Sequence, residues 1–250
     1  METKRYFLEL AYKGSGYHGW QIQKNANSVQ EEIEKALSVL LGKNTPIVGS
    51  GRTDTGVHAS QTFAHFDSDI ELEKELFTKK LNGILGKSIA IYDLIQVKNE
   101  AHARFDAVER EYLYRCIKRK NPFESESSWQ IYSNPDIDLM NQAAKLLLEY
   151  DDFECFSKVK TEVNNFRCEI KEAIWEQNAH ELLFHITANR FLRGMVRAIV
   201  GTLMEVGLGK ITVEDFRTII ESKNRKEAKS SAPAQGLYLC RVTYPEKIFI

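Results

Sequence analysis

The most specific pattern in the sequence is the run GRTDTGVHA, from Gly51 to Ala59, in which two glycines bracket Asp54 and Arg52 precedes it by two residues. Glycine accepts backbone conformations that other residues resist, so such a loop can be tight and can approach a ligand closely. A guanidinium near a carboxylate favours the ionised carboxylate. An ionised Asp54 suits a nucleophile or a base better than a general acid.

The same loop also fits two other interpretations, an ordinary turn and an aspartic protease. Asp and Gly dominate turns, so the run is also typical of an ordinary Asx-type turn. The tripeptide Asp54-Thr55-Gly56 also matches the segment around the catalytic aspartate of aspartic proteases, whose chemistry requires two carboxylates that share a proton. The sequence contains one D-T-G and several helical segments, and Arg52 opposes a shared proton. The protease interpretation is therefore disfavoured.

A second candidate segment is REYLYR, residues 110–115. On a strand, Tyr112 and Tyr114 point to one face and Leu113 to the other. Two aromatic rings flanked by cations could stack a nucleobase and hold phosphates. Tyrosines packed in a protein core would give the same pattern, and this segment alone favours the core.

A third candidate segment is ANRFLRGMVR, residues 188–197, which the pattern predicts to enter a helix over residues 191–206. On that helix Arg193 and Arg197 lie one turn apart, beside a buried apolar stripe. The apolar neighbours of Arg197 imply that its side chain either extends to the surface or pairs with a buried anion. Extension to the surface is the commoner case, and pairing with Asp54 is the functional one.

The sequence shows no pattern for a nucleotide cofactor or a metal. Gly49-x-Gly51 is followed by Asp54 where a dinucleotide fingerprint has its third glycine, and no P-loop occurs. The six histidines lack zinc-protease spacing, and the four cysteines lack C-x-x-C spacing. We therefore expect no metal, no cofactor and four reduced structural thiols.

Composition is ordinary for a globular protein, with 43% hydrophobic residues over 250 positions. No apolar run is long enough for a membrane span and no signal peptide is recognisable, so a cytoplasmic protein is expected. The net charge of −1 argues mildly against a nucleic-acid binder. Residues 104–120, however, carry six basic side chains against three acidic ones, so one face could still attract a polyanion.

The periodicity predicts strands and helices without regular alternation, which indicates an α+β fold of mainly antiparallel sheets. Ser28 and Thr212 are predicted helix caps. Strands are predicted over 5–12, 46–50, 61–67, 89–98, 110–118, 166–176, 181–189 and 236–244, and further helices over 72–85 and 138–150. The two halves repeat a similar pattern. We therefore expect a domain of residues 1–106 that carries the Asp54 loop and a domain of residues 107–250 that carries Tyr112 and Arg197.

Taken together, these segments resemble the tRNA pseudouridine synthase A family. The matching pieces span nearly the whole chain in the family's order. They are Tyr12 with Gly19-Trp20-Gln21, Gly51 to Ala59, Ala103 to Ala107, Arg110 to Tyr114, Phe153 with Phe156-Ser157, Ala188 to Gly201, and Gly236 to Leu239.

The resemblance implies a homodimer of chains with two similar domains, each a mainly antiparallel sheet with helices packed on one side, and a basic catalytic cleft between them. It implies a tRNA substrate, with uridines converted at positions 38, 39 and/or 40 of the anticodon stem-loop. Asp54 would be the catalytic aspartate, acting as nucleophile or as the base of a glycal route. Tyr112 would stack on the target base, Arg197 would pair with Asp54, and Arg52 would help displace the target from the stem. An RNA-binding module without activity remains the alternative.

Overall fold

The computed structural model describes residues 3–158 and 165–250. In chain order the elements are β1 (Lys4–Tyr12), α1 (Val29–Leu41), β2 (Val48–Gly49), β3 (His58–Ser68), α2 (Lys74–Ile84), β4 (Ile89–Val97), β5 (Glu109–Ile117), β6 (Trp129–Gln130), α3 (Ile137–Leu146), β7 (Ile170–Gln177), β8 (Glu181–Ala188), α4 (Met195–Gly207), α5 (Val213–Glu221) and β9 (Leu237–Thr243). The prediction of an α+β fold with mainly antiparallel strands is confirmed.

The chain divides into two compact units, residues 1–109 with 239–250, and residues 110–238. The sequence assigned residues 239–250 to the second domain, whereas the structure groups them with the first unit. Specific bonds account for this placement. The amide of Val242 donates to the side-chain oxygen of Gln61, and the hydroxyl of Tyr244 donates to the carbonyl of Ala103.

The first unit contains strands in the order β4, β1, β3, β9, and β1 is antiparallel to both β3 and β4. The even-numbered residues of β3 face the helices, where Phe66 stacks on Phe77 of α2 with ring centroids 6.1 Å apart. The odd-numbered residues face the other way, where Phe63 meets the edge of the Tyr244 ring at 5.2 Å. Aromatic rings thus pack on both sides of β3.

Helix α1 follows its local sequence signals. Ser28 accepts a hydrogen bond from the amide of Glu31 at 3.3 Å, and Gly42 ends the helix with a left-handed φ of 67°. Ile33 and Leu37 of this helix are fully buried. The cap and the apolar stripe were both predicted.

The second unit contains β5, β8 and β7 in that order, all antiparallel, with β6 added in parallel to β5. Helix α5 starts at the predicted capping box, in which Thr212 and Asp215 bond each other's backbone amides. Helix α4 differs from the prediction of 191–206. It starts at Met195, after Gly194 with φ 73°, so Arg193 lies before the helix.

Candidate active site

Asp54 occupies the first position of a tight turn in the loop that joins β2 to β3. The amide of Val57 donates to the Asp54 carbonyl at 3.1 Å, and Gly56 adopts φ 79°. A left-handed third residue after an ordinary second residue is the pattern of a type II turn, which favours glycine at that place. The backbone of this run is therefore a turn closed by a main-chain bond. The turn also fixes the position of the Asp54 backbone, from which its half-buried side chain extends.

Both sides of the Asp54 turn are bonded to the sheet. Ser50 is buried, and its amide donates to the carbonyl of Phe63 at 2.7 Å while its hydroxyl lies 2.9 Å from that of Thr62. The hydroxyl of Thr53 lies 2.8 Å from that of Tyr12, at the end of β1. Rigid support of this kind keeps a reactive group in position without ordering it at each turnover.

The glycine-rich segment 14–20 packs directly against the loop. Gly19 has φ 96°, and a Cβ there would come within 2.5 Å of the carbonyl oxygen of Thr53. A Cβ on Gly14 would collide with the carbonyl of Val57, and the Gly14 amide donates to Nδ1 of the buried His58 at 3.0 Å. Sequence reasoning recognised the glycines as a loop but did not predict that they support Asp54.

Arg52 is exposed in the same loop, two residues before Asp54. Of the four predicted site residues, these two lie in the first unit, while Tyr112 and Arg197 lie in the second. The predicted functions of all four remain proposals.

Tyr112 and Tyr114 lie on one face of β5, as alternation predicts, but their surroundings differ. Tyr114 is fully buried, its hydroxyl donates to the carbonyl of Pro233 at 2.7 Å, and burial raises the pKa of its phenol. Tyr112 is half-buried and meets the ring of Phe191 edge-on at 5.0 Å. Tyr114 is therefore a core residue, whereas Tyr112 is only half-buried.

Arg197 lies in the first turn of α4, half-buried, and is anchored to the segment that precedes β9. Its Nε donates to the carbonyl of Ala232 at 2.7 Å, and the amide of Ala232 donates back to the Arg197 carbonyl at 2.9 Å. The guanidinium plane is therefore oriented by a backbone group, as is usual where an arginine must present its fork in a fixed direction.

The cysteines and possible metal ligands give no sign of further chemistry in the described ranges. Cys116, Cys155 and Cys168 are buried, and burial raises the pKa of Cys155 to about 12 and that of Cys168 to about 11. These thiols therefore stay protonated at neutral pH. Within residues 3–158 and 165–250, no group of three or more His, Cys, Asp or Glu side chains could hold a metal ion.

Comparison with known proteins shows extensive similarity to one family. The sequence model of a family described as tRNA pseudouridine synthase matches residues 143–245. The tRNA pseudouridine synthase A of Bacteroides fragilis is 49% identical over 251 residues, covering 100% of both chains. That of Bacteroides thetaiotaomicron is 49% identical over 98% of this chain and 93% of its own.

The chain belongs to the tRNA pseudouridine synthase A family. The resemblance predicted from the sequence is thus confirmed. A more distant family member, from Borreliella afzelii, is still 38% identical over 96% of this chain and 99% of its own. Family similarity therefore extends over both units, including the Asp54 loop that lies outside the match to residues 143–245.

Proposed function

We propose that this protein isomerises uridine to pseudouridine at positions 38, 39 and/or 40 of the tRNA anticodon stem-loop. The observation that carries the proposal is the Asp54 loop, held rigidly by segment 14–20 in a chain of the tRNA pseudouridine synthase A family. The names of the relatives supply the substrate class and the reaction, and the loop supplies a positioned carboxylate.

The isomerisation breaks the bond between N1 of uracil and C1′ of the ribose and forms a bond between C5 and C1′. The uracil rotates in between, C5 loses its proton and N1 gains one, so atoms and electrons balance without a redox partner. Asp54 attacks C1′ as a nucleophile or removes a ribose proton as the base of a glycal route. Either role requires an ionised carboxylate with a fixed position.

Three further side chains complete the proposed site. Arg197 serves as the ion-pair partner of Asp54, a role that its orienting bond to Ala232 supports. The half-buried Tyr112 stacks its ring on the target uracil. Arg52, exposed beside Asp54, fills the space that the target leaves when it is displaced from the stem, which costs a few kcal/mol.

The proposal includes a cytoplasmic, homodimeric enzyme whose macromolecular partner is tRNA. No described helix is long and apolar enough to cross a membrane. Because phosphate contacts release counterions, we expect the affinity for tRNA to fall steeply between 50 and 200 mM salt, by about 10³-fold or more if six phosphates are contacted. Filter binding of the Asp54→Asn variant measures this slope without turnover, and a flat response would contradict a basic RNA-binding face.

The deciding experiment maps pseudouridine in tRNA that lacks the modification at positions 38–40, after incubation with purified protein. We expect modification by the wild type and by Asp138→Asn, an exposed aspartate in the first turn of α3 that serves as matched control. Asp54→Asn should abolish turnover while tRNA affinity stays within a few-fold. Substantial turnover by Asp54→Asn would refute the role of Asp54. Wild-type protein that binds tRNA without modifying it would identify an RNA-binding module instead.

A further inference from the structure

A turn at residues 102–106 presents an aromatic ring to solvent at a second place in the first unit. The side chain of Phe105 is 74% exposed. The turn is closed by two bonds between its ends, from the Asp106 amide to the His102 carbonyl at 3.0 Å and from the His102 amide to the Asp106 carboxylate at 2.7 Å. Nδ1 of His102 also lies within 3.3 Å of the amides of Arg104 and Phe105, which donate to it.

The 102–106 turn is bonded to the sheet beneath it. The Ala103 amide donates to Nδ1 of His65 at 3.1 Å, and the Ala103 carbonyl accepts from the hydroxyl of Tyr244 at 2.6 Å. The guanidinium of Arg5 donates to the neighbouring Ala101 carbonyl at 2.9 Å. Phe105 is therefore not a side chain on a loose loop, and its exposure is built into the fold.

Phe105 is the exposed end of a series of four rings, each in contact with the next. Its centroid lies 4.3 Å from that of His102, which lies 4.7 Å from that of His65, which in turn lies 6.1 Å from that of Phe7. Burial and the nearby charge of Arg5 lower the pKa of His65 to about 4 and also lower that of His102. Both imidazoles are therefore neutral at pH 7, and Phe105 packs against uncharged rings, with the His102 ring tilted against it and the His65 ring edge-on to that of His102.

The cation of Arg104 lies over this ring. The guanidinium carbon of Arg104 is 5.6 Å from the Phe105 centroid, close enough for a cation–π contact. Proteins that bind single-stranded nucleic acids combine exposed aromatic rings with arginines. A base stacks on the ring, and a phosphate binds to the cation.

The turn lies away from the Asp54 loop. His65 is seven residues along β3 from His58, where the loop ends, which corresponds to about 23 Å at 3.3 Å per residue. His65 and the turn also lie on the sheet face opposite to Phe66 and α2. A base on Phe105 is therefore not the base that reacts.

We propose that Phe105 stacks on an unpaired base of the RNA substrate, distinct from the uridine that is isomerised, and that Arg104 holds an adjacent phosphate. This inference rests on the proposed function, because it takes tRNA as the ligand. We expect an unpaired base because a base inside a stem is stacked between its neighbours, and its faces are not available to Phe105. The contact contributes to substrate binding and not to the chemical step.

The test compares Phe105→Ala and Phe105→Trp with Leu76→Ala and Leu76→Trp. Leu76 is 49% exposed on α2, on the opposite side of the same sheet, and serves as matched control. We expect Phe105→Ala to raise KM for tRNA about 5- to 100-fold with kcat within twofold, because stacking on one base contributes that much to binding. Phe105→Trp and both Leu76 variants should keep KM within twofold.

Tryptophan fluorescence gives a readout that does not need turnover. In an Asp54→Asn background, the emission added by Phe105→Trp should be quenched when tRNA binds, whereas the emission added by Leu76→Trp should not. An unquenched indole together with an unchanged KM for Phe105→Ala would overturn the inference. Light scattering that shows Phe105→Ala converting a dimer to a monomer would also overturn it, since a second copy would then cover the ring. If the wild type fails to modify tRNA but quenching still occurs, the proposed function fails and the stacking contact stands.

Discussion

The backbone amide of Trp20 donates to the carbonyl oxygen of Thr53 at 3.3 Å, so the segment after β1 is bonded to the residue that precedes Asp54. Gly19 makes this approach possible, because its φ of 96° and missing side chain let the two backbones meet. The position of the catalytic candidate thus depends on a residue 35 positions earlier in the chain.

Gly19→Ala is expected to displace the Asp54 loop. A left-handed alanine costs about 1–2 kcal/mol, and its Cβ would also strike the Thr53 carbonyl. We expect the free energy of unfolding to fall by at least about 2 kcal/mol and kcat to fall at least tenfold. Urea denaturation and single-turnover kinetics measure both. Gly16→Ala is the control, since a Cβ there meets nothing within 4 Å, and equal losses in both variants would contradict the argument.

Gly201→Ala is expected to disturb Arg197 through residues 230–232, which pack against Gly201 of α4. A Cβ on Gly201 would strike the carbonyl oxygen of Ser230, two residues before the Ala232 carbonyl that orients Arg197. We expect a loss of about 1–3 kcal/mol of stability, as for other overpacked sites, together with reduced kcat. Gly83→Ala, on an exposed position of α2 with open space around it, should instead add about 0.5–1 kcal/mol. A neutral Gly201→Ala would refute the close packing.

The two tyrosines of β5 should separate stability from activity. Tyr114→Phe leaves the carbonyl of Pro233 without its buried donor, so we expect about 1–3 kcal/mol less stability and kcat within twofold at a temperature where the protein is folded. Tyr112→Ala removes the proposed stacking surface, so kcat/KM should fall at least tenfold. Thermal unfolding measures the stability of both variants, and steady-state kinetics measures their kcat and kcat/KM. The reverse pattern would assign the functional role to Tyr114.

His65 is expected to make the protein sensitive to acid. Its folded pKa of about 4 lies below the unfolded value of about 6.5, so the unfolded state binds more protons between these pH values. The stability conferred by the neutral ring is present above about pH 6.5 and is lost as the pH falls toward 4. After allowance for solvent screening, this loss is about 1–2 kcal/mol.

His65→Asn isolates this contribution, because the asparagine oxygen can replace Nδ1 as acceptor for the Ala103 amide without titrating. Urea unfolding at pH 7.0, 5.5 and 4.5 should show a smaller decline in stability for the variant than for the wild type. His102 and Asp67 act in the same direction in both proteins, because the pKa of each is lowered in the fold, so the difference between the two curves belongs to His65. Parallel curves would show that His65 is not held neutral.

Features encoded by a few consecutive residues could be predicted from the sequence. Ser28 with Gly42, and Thr212 with Asp215, define helix ends through bonds between near neighbours, and both helices start as predicted. The loop around Asp54 was recognised because its glycines, arginine and aspartate are all within nine residues. Local bonds of this kind are the same in any fold that contains the segment.

Features that depend on distant partners could not be predicted. Helix α4 starts four residues later than its apolar pattern suggests, because Gly194 is left-handed and the Arg193 carbonyl accepts from the distant Lys158 amide. Strand β6 was not predicted, since its two residues become a strand only by pairing with β5. The support of Asp54 by Gly14 and Gly19 is likewise invisible in sequence spacing, because it depends on contacts with residues 53 and 57.

Residues 239–250 complete the first unit, so this unit cannot be completed until the end of the chain has been synthesised. All of residues 110–238 are synthesised before β9 becomes available to pair with β3. Until then the odd-numbered face of β3, including Phe63, lacks the cover of Tyr244. Domains usually fold in the order of their synthesis. Here the unit that begins first along the chain is completed last, because its residues 239–250 are synthesised after the whole of the second unit.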